Sequence, residues 1–216
     1  MSPTSPRSSK VAPLRGRLFV FAAPSGAGKT SLVRALMEKE PSLRFSISYT
    51  TRPKRPAEIH GHDYFFVTRE EFHRMAAGGE FLEYAQVFDN WYATSRRQVE
   101  EALSRGEDII LEIDWQGARQ VRAAMPECLS IFILPPSRAS LEDRLRQRST
   151  DTDEVIARRL RDAVADMSHW HEFDYVIINE HFQAAVEELR QVVAGRGEAL
   201  RARRPAVEQL TGALLA

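Results

Sequence analysis

The chain has 216 residues, with 30 Lys and Arg against 30 Asp and Glu, and a single cysteine. Zero formal net charge gives no overall field to gather nucleic acid or an anionic membrane. One cysteine excludes a disulfide framework and a cysteine-based metal site, and Cys128, beside an apolar run, reads as a small core residue. The length suits one α/β core with modest insertions. No apolar run approaches membrane-spanning length and no signal-peptide core follows Met1, so the expectation is a soluble, cytoplasmic protein.

Residues 1–15 are rich in Ser and Pro, lack acidic residues and have no apolar face, which predicts a disordered tail. Leu18-Phe19-Val20-Phe21-Ala22 then reads as a buried strand, and Lys29 to Met37 as a helix that stops before Pro41. Between them lies Ala23-Pro24-Ser25-Gly26-Ala27-Gly28-Lys29-Thr30, which matches the phosphate-loop pattern G-x-x-x-x-G-K-[ST] except at Ala23. Gly26 and Gly28 let backbone N–H groups converge on an anion at a helix N-terminus. Lys29 can reach the β- and γ-phosphates, and the Thr30 hydroxyl can ligate Mg²⁺. Strand, turn, Lys-Thr and helix agree in order, so the stretch predicts a nucleoside triphosphate site.

Leu43 to Tyr49 alternates with period two and predicts a strand, followed by the basic, proline-stiffened loop 50–56. Asp63 to Val67 and Glu80 to Phe88 are strand-like, and Thr68 and Ser95 open capping boxes. Residues 48–95 therefore read as a small, mostly β insertion. The core resumes with Asp108 to Asp114, a buried strand ending in carboxylates, then Leu129 to Leu134 and Tyr175 to Asn179. Helical patterns between these strands predict a largely parallel sheet wrapped by helices. The tail after Gly195 reads as helical.

Several residues could carry chemistry, and each has a plainer reading. Arg138, Arg144, Arg146, Arg148, Arg158, Arg159 and Arg161 could be a solvated hairpin laced with ion pairs to Glu142, Asp143, Glu154 and Asp162. Beside a phosphate loop they could instead neutralise a phosphoryl group in transfer. Arg52 and Arg55 could solubilise a loop or grip a phosphate with Tyr64 and Tyr92. Glu83 could be an exposed edge residue, or a carboxylate accepting from the adjacent N1–H and N2–H₂ of guanine. The six histidines lack a metal-ligand pattern and read as surface or packing residues.

The sequence resembles the bacterial guanylate kinases over residues 16–195. The phosphate loop, Ser48-Tyr49-Thr50-Thr51-Arg52-Pro53-Lys54-Arg55-Pro56, His62-Asp63-Tyr64-Phe65-Phe66-Val67 and Phe81-Leu82-Glu83 carry the likeness. Asn90-Trp91-Tyr92-Ala93-Thr94-Ser95-Arg96, Ile113-Asp114-Trp115-Gln116-Gly117-Ala118 and Ile131 to Ser137 continue it in unbroken order. The resemblance implies a phosphate-loop α/β fold with core segments 16–47, 96–137 and 161–195. It further implies a GMP-binding insertion at 48–95, a helical lid at 138–160 and a helical tail at 196–216. GMP contacts then fall on Ser48, Arg52, Arg55, Tyr64, Glu83, Tyr92, Thr94, Asp114 and Arg159. ATP contacts fall on Pro24, Ser25, Gly26, Ala27, Gly28, Lys29, Thr30 and Ser31, with Arg144 and Arg148 closing from the lid and Asn179 near adenine. Lys29, Arg52, Arg144, Arg148 and Arg159 become the catalytic set, and Mg²⁺ sits at Thr30, with Asp114 reaching it through water.

The implied reaction is transfer of the γ-phosphoryl group of ATP to GMP, and to dGMP, with ATP and GMP as partners rather than nucleic acid or membrane. Homo-oligomers occur among such enzymes, and the sequence leaves that state open. The rival readings are a non-catalytic guanylate-kinase-like binding module and a kinase for another nucleoside monophosphate. An intact Gly28-Lys29-Thr30 opposes the first, and Glu83 with Ser48 and Thr94 opposes the second. Ala57 and Ala93 stand where the family has glycine, which predicts displaced or strained loops. Trp91 stands for a tyrosine and Glu112 for a shorter aspartate. Gln147 and Ser149 beside the lid arginine, where glycines are common, predict a stiffer lid.

Overall fold

The computed structural model describes residues 15–87, 89–147 and 152–216. In chain order the elements are β1 (Leu18–Ala22), α1 (Lys29–Lys39), β2 (Arg44–Phe45), β3 (Tyr49–Thr50), β4 (Phe65–Phe66), α2 (Arg69–Ala77), β5 (Phe81–Val87) and β6 (Asn90–Ser95). There follow α3 (Arg96–Ser104), β7 (Ile109–Glu112), α4 (Trp115–Ala124), β8 (Leu129–Leu134), α5 (Arg138–Arg146), α6 (Asp153–Met167), β9 (Tyr175–Ile178), α7 (Phe182–Val193) and α8 (Pro205–Leu215).

Five parallel strands form the main sheet in the order β2-β7-β1-β8-β9. Its central strand β1 shows why the sequence folds this way. Successive side chains on a strand point to opposite faces, so a strand covered on both faces must be apolar throughout. Leu18, Val20 and Ala22 enter one core, beside Val99 of α3, Val121 of α4 and Val207 of α8. Phe19 and Phe21 enter the other, with Leu32 and Leu36 of α1 and Val186 and Leu189 of α7. Both phenylalanines are fully buried, each worth about 2–3 kcal/mol relative to exposure.

A second, mixed sheet has the order β4-β3-β6-β5, with β3 and β4 parallel and the other pairs antiparallel. Phe72 and Met75 of α2 cover it, together with Phe81 and Ala93. The predicted caps form: the Thr68 hydroxyl accepts from the Glu71 N–H, and that of Ser95 from the Gln98 N–H.

Three expectations need correction. The single strand read across 43–49 is two short ones in different sheets, because the chain passes from the main sheet at Phe45 to the mixed sheet at Tyr49. The strand read across 63–67 is reduced to Phe65–Phe66. The strain expected at Ala93 is absent: Ala93 lies extended within β6, opposite both Tyr49 and Tyr84, where any small residue fits. Ala57 occupies an exposed turn closed by the Glu58 N–H on the Arg55 carbonyl at 3.1 Å. Trp91 packs its ring against Phe72 and His73.

The arm read as a lid consists of α5 and the start of α6, and α6 runs unbroken past residue 160 to Met167. Arg148 and Ser149 lie outside the described residues, as does the predicted tail up to residue 14. Beyond Gly195 the chain is helical at α8, which buries Val207, Thr211 and Leu214. Among the described residues no helix is long and apolar enough to cross a membrane.

Candidate active site

The phosphate loop leaves the carboxyl end of β1 and enters α1, the position where open parallel sheets bind ligands. Gly28 caps α1 in the left-handed region at φ 95°, and Gly26 has φ 89°. At Gly28 a Cβ would also stand 2.5 Å from Asn179 Nδ2. Asn179, at the end of β9 and 4% exposed, donates from that nitrogen to the Ala27 carbonyl at 2.8 Å. Arg144 of α5 donates to the Ala27 carbonyl at 3.2 Å and to the Asn179 carbonyl at 2.9 Å. Asn179 and Arg144 therefore fix the Ala27 carbonyl on the back of the loop, while the Ala27 N–H turns inward to the Pro24 carbonyl at 3.2 Å and closes the turn.

Lys29 donates to the Ile113 carbonyl at 2.8 Å. Burial lowers its pKa, and the carboxylates of Glu112, Asp114, Asp166 and Glu83 oppose that shift. The Thr30 hydroxyl donates to Glu112, which lies at the end of β7 opposite Phe21 of β1. The longer side chain at position 112 thus still reaches the loop. Asp114 caps α4, accepting from the Gly117 N–H at 2.7 Å.

Across the cleft, the mixed sheet presents Ser48, Tyr64, Glu83 and Tyr92, which with Lys29 and Asp114 line a cavity of ≈ 340 Å³. Glu83 is the surprise of this wall. It is 4% exposed rather than at a solvated edge, because the β5–β6 pairing shifts register between Phe81 and Glu83. An extra residue in the strand breaks the two-residue period, so Phe81, Leu82 and Glu83 are all buried. The Thr94 hydroxyl donates to Glu83 Oε1 at 2.6 Å. Burial, reinforced by the charge of Asp114, raises the Glu83 pKa to about 7 against the Thr94 bond.

Arg52 lies with its guanidinium 5.5 Å from the Tyr64 ring centre and pairs with Glu58 at 2.7 Å. Glu58 also accepts from the Arg55 N–H, so one carboxylate shapes the whole basic loop. Sequence reasoning missed Glu58, which lies beyond the proline-rich turn with no periodic signal. Arg55 is exposed, and Arg159 is half-buried on α6.

The rest of the arginine cluster divides. Arg146 forms the surface ion pairs of the plainer reading, with Glu142 and Asp153, while Arg138 donates to the Leu214 carbonyl and ties α5 to α8. Of the histidines, His169 stacks on Trp115 at 3.6 Å and His60 accepts from the Phe66 N–H, while His62, His73, His171 and His181 lie exposed on the surface. Among the described residues no group of three or more His, Cys, Asp or Glu gathers for a metal. Cys128 is buried, and that burial raises its thiol pKa.

A phosphate loop at the central strand of a parallel sheet, facing a cavity with charged and hydroxyl side chains on a small mixed sheet, defines a phosphate-loop nucleotide-binding protein of the α/β class. The family model described as guanylate kinase matches residues 15–196. A guanylate kinase of Methylococcus capsulatus is 53% identical over 201 residues, covering 93% of this chain and 98% of that one. Another, of Nitrosococcus oceani, is 56% identical over 183 residues, covering 85% and 90%. The crystal structure of guanylate kinase from Anaplasma phagocytophilum superposes with a TM-score of 0.69 at 32% identity, over 91% of this chain and 94% of that one. The chain belongs to the guanylate kinase family.

Proposed function

We propose that this protein transfers the γ-phosphoryl group of ATP to GMP, and to dGMP, giving ADP and GDP. The observation that carries the reading is Glu83, a buried carboxylate held by Thr94 in the same cavity as Lys29 of the phosphate loop. Guanine presents N1–H and N2–H₂ side by side, and one carboxylate accepts from both. Adenine offers a lone pair at N1 instead, which a carboxylate repels.

Lys29 and the loop N–H groups hold the donor phosphates, with Arg144 braced behind them. Arg52, Arg55, Tyr64 and Tyr92 grip the acceptor phosphate, while Ser48 and Thr94 complete the base contacts. Arg148 and Arg159 meet the group in transfer, and Asn179 serves the donor side. The acceptor needs no general base, since the second phosphate pKa of a monoester is about 6 and its oxygen is largely ionised near pH 7. The insertion at 48–95 and the helical arm at 138–160 exclude water from the closed site.

The donor atoms beside the loop fit Mg²⁺. The Thr30 hydroxyl and the Glu112 carboxylate meet there, and Mg²⁺ takes hard oxygen ligands, one or two carboxylates completed by substrate phosphates. Bound there, Mg²⁺ neutralises charge on the donor phosphates. In this reading Asp114, which lines the same cavity as Glu112, reaches the ion through water.

The binding-module alternative has no specific support, because Lys29 and Thr30 are present and engaged. Glu83→Ala tests the base assignment. The expected result is a KM for GMP raised by about a hundredfold or more with the KM for ATP little changed, the loss of two charge-assisted bonds. An equal rise in both constants would remove Glu83 from the acceptor site.

A further inference from the structure

The seat of Glu83 lies partly outside the sheet that carries it. β5 is an edge strand of the mixed sheet, bonded to β6 on one side and facing α4 of the main core on the other. On that open side the Gln120 side chain takes the place of a neighbouring strand. Its Oε1 accepts from the Tyr84 N–H at 3.1 Å, and its Nε2 donates to the Tyr84 carbonyl at 2.9 Å. A primary amide has one acceptor and two donors and can complete both backbone bonds of one residue. Tyr84 directly follows Glu83, so this amide fixes the backbone that aims the carboxylate.

Three residues earlier on α4, on the same face, lies Gly117. A Cβ there would stand 2.7 Å from Glu83 Oε2 and 3.3 Å from Glu83 Cδ. The absent side chain is therefore the space that the carboxylate fills. Gly117 is also the N–H that Asp114 caps, so the helix end, the glycine and the acid are fixed relative to one another. Oε1 is held from the other direction by Thr94. Ala118 and Val121 anchor this part of α4 in the core.

We propose that Gly117 and Gln120 are positioning residues that determine base specificity, holding Glu83 where its carboxylate meets both guanine donors. The proposal rests on the assignment of Glu83 to the guanine base. It extends the control of selectivity from the insertion to a helix of the main core. Displacing the carboxylate costs the contact to one of its two donors before the other. The informative comparison is therefore GMP against inosine monophosphate, which keeps N1–H and lacks the 2-amino group.

The test measures kcat/KM for both acceptors, and the KM for ATP, in the wild type, Gln120→Leu, Gly117→Ala and Glu83→Gln. In both Gln120→Leu and Gly117→Ala the GMP-over-inosine-monophosphate ratio is expected to fall about tenfold, with the KM for ATP within about twofold of wild type. A purely structural role would lower turnover with both acceptors alike and leave the ratio unmoved. An unmoved ratio in Gly117→Ala and Gln120→Leu, with a collapsed ratio in Glu83→Gln, would overturn this proposal and keep Glu83 at the base. An unmoved ratio in all three would overturn both. Gly117→Ala alone decides the matter if Gln120→Leu does not fold, since it keeps both bonds between Gln120 and Tyr84.

Discussion

At Glu83 two requirements oppose each other. Burial with Asp114 nearby raises its pKa from 4.5 to about 7, yet acceptance of N1–H and N2–H₂ needs the ionised form. Binding of GMP below pH 7 must then release a proton, and GMP affinity should fall about tenfold from pH 8 to pH 6. The phosphate of GMP titrates in the same range, so the decisive quantity is the difference in slope between wild type and Glu83→Gln. Equal slopes would contradict the assignment.

The same shift acts on the nucleotide-free fold with the opposite preference. A raised folded-state pKa means that the folded protein holds the proton more tightly than the unfolded chain. The associated stability is complete below pH 4.5 and is lost as pH rises through 7, on the order of 3 kcal/mol. Urea unfolding without nucleotide should show this loss between pH 5 and pH 8 in the wild type and not in Glu83→Gln. A wild-type curve that is flat, or that rises in that window, would show that the group is ionised in the free protein. At this scale the buried state of Glu83 was not legible in the sequence. The run Phe81-Leu82-Glu83-Tyr84 carries no mark of the register shift, which arises only when β5 meets β6.

At the scale of elements, local signals served well where local chemistry decides the outcome. Thr68 and Ser95 formed the caps their spacing predicts, and β1 is apolar on both faces because helices cover both. Signals failed where a partner lies far along the chain. Gln120 and Tyr84 are 36 residues apart, and nothing near either marks the contact. The alternating run 43–49 did mark extended chain, but the break near Ser46 depends on which sheet each half joins. α8 lies beyond the matched family region, residues 15–196, yet Leu214 is 1% exposed in the main core. Leu214→Ala should cost about 2–4 kcal/mol in urea unfolding while leaving the KM for GMP unchanged. Unchanged stability would mean that α8 contributes little to the core. A raised KM would mean that its support extends to the acceptor site.

At the scale of the molecule, the proposed reading takes the donor site from the carboxyl end of β1 in the main sheet and the acceptor wall from the mixed sheet. The two meet at Lys29, Asp114 and Glu83, which line one cavity although they come from α1, the start of α4 and β5. Motif order made the family and the α/β fold legible, since a phosphate loop, a basic loop and a strand carboxylate follow one another in sequence. The central claim is that one cleft joins ATP chemistry to guanine selection. It is tested most directly by ADP formation from ATP and Mg²⁺ with GMP, dGMP, AMP, CMP and UMP offered separately. Turnover with GMP, and with dGMP, but not with the other three is the predicted result. Comparable turnover with AMP, or none with any acceptor, would contradict it.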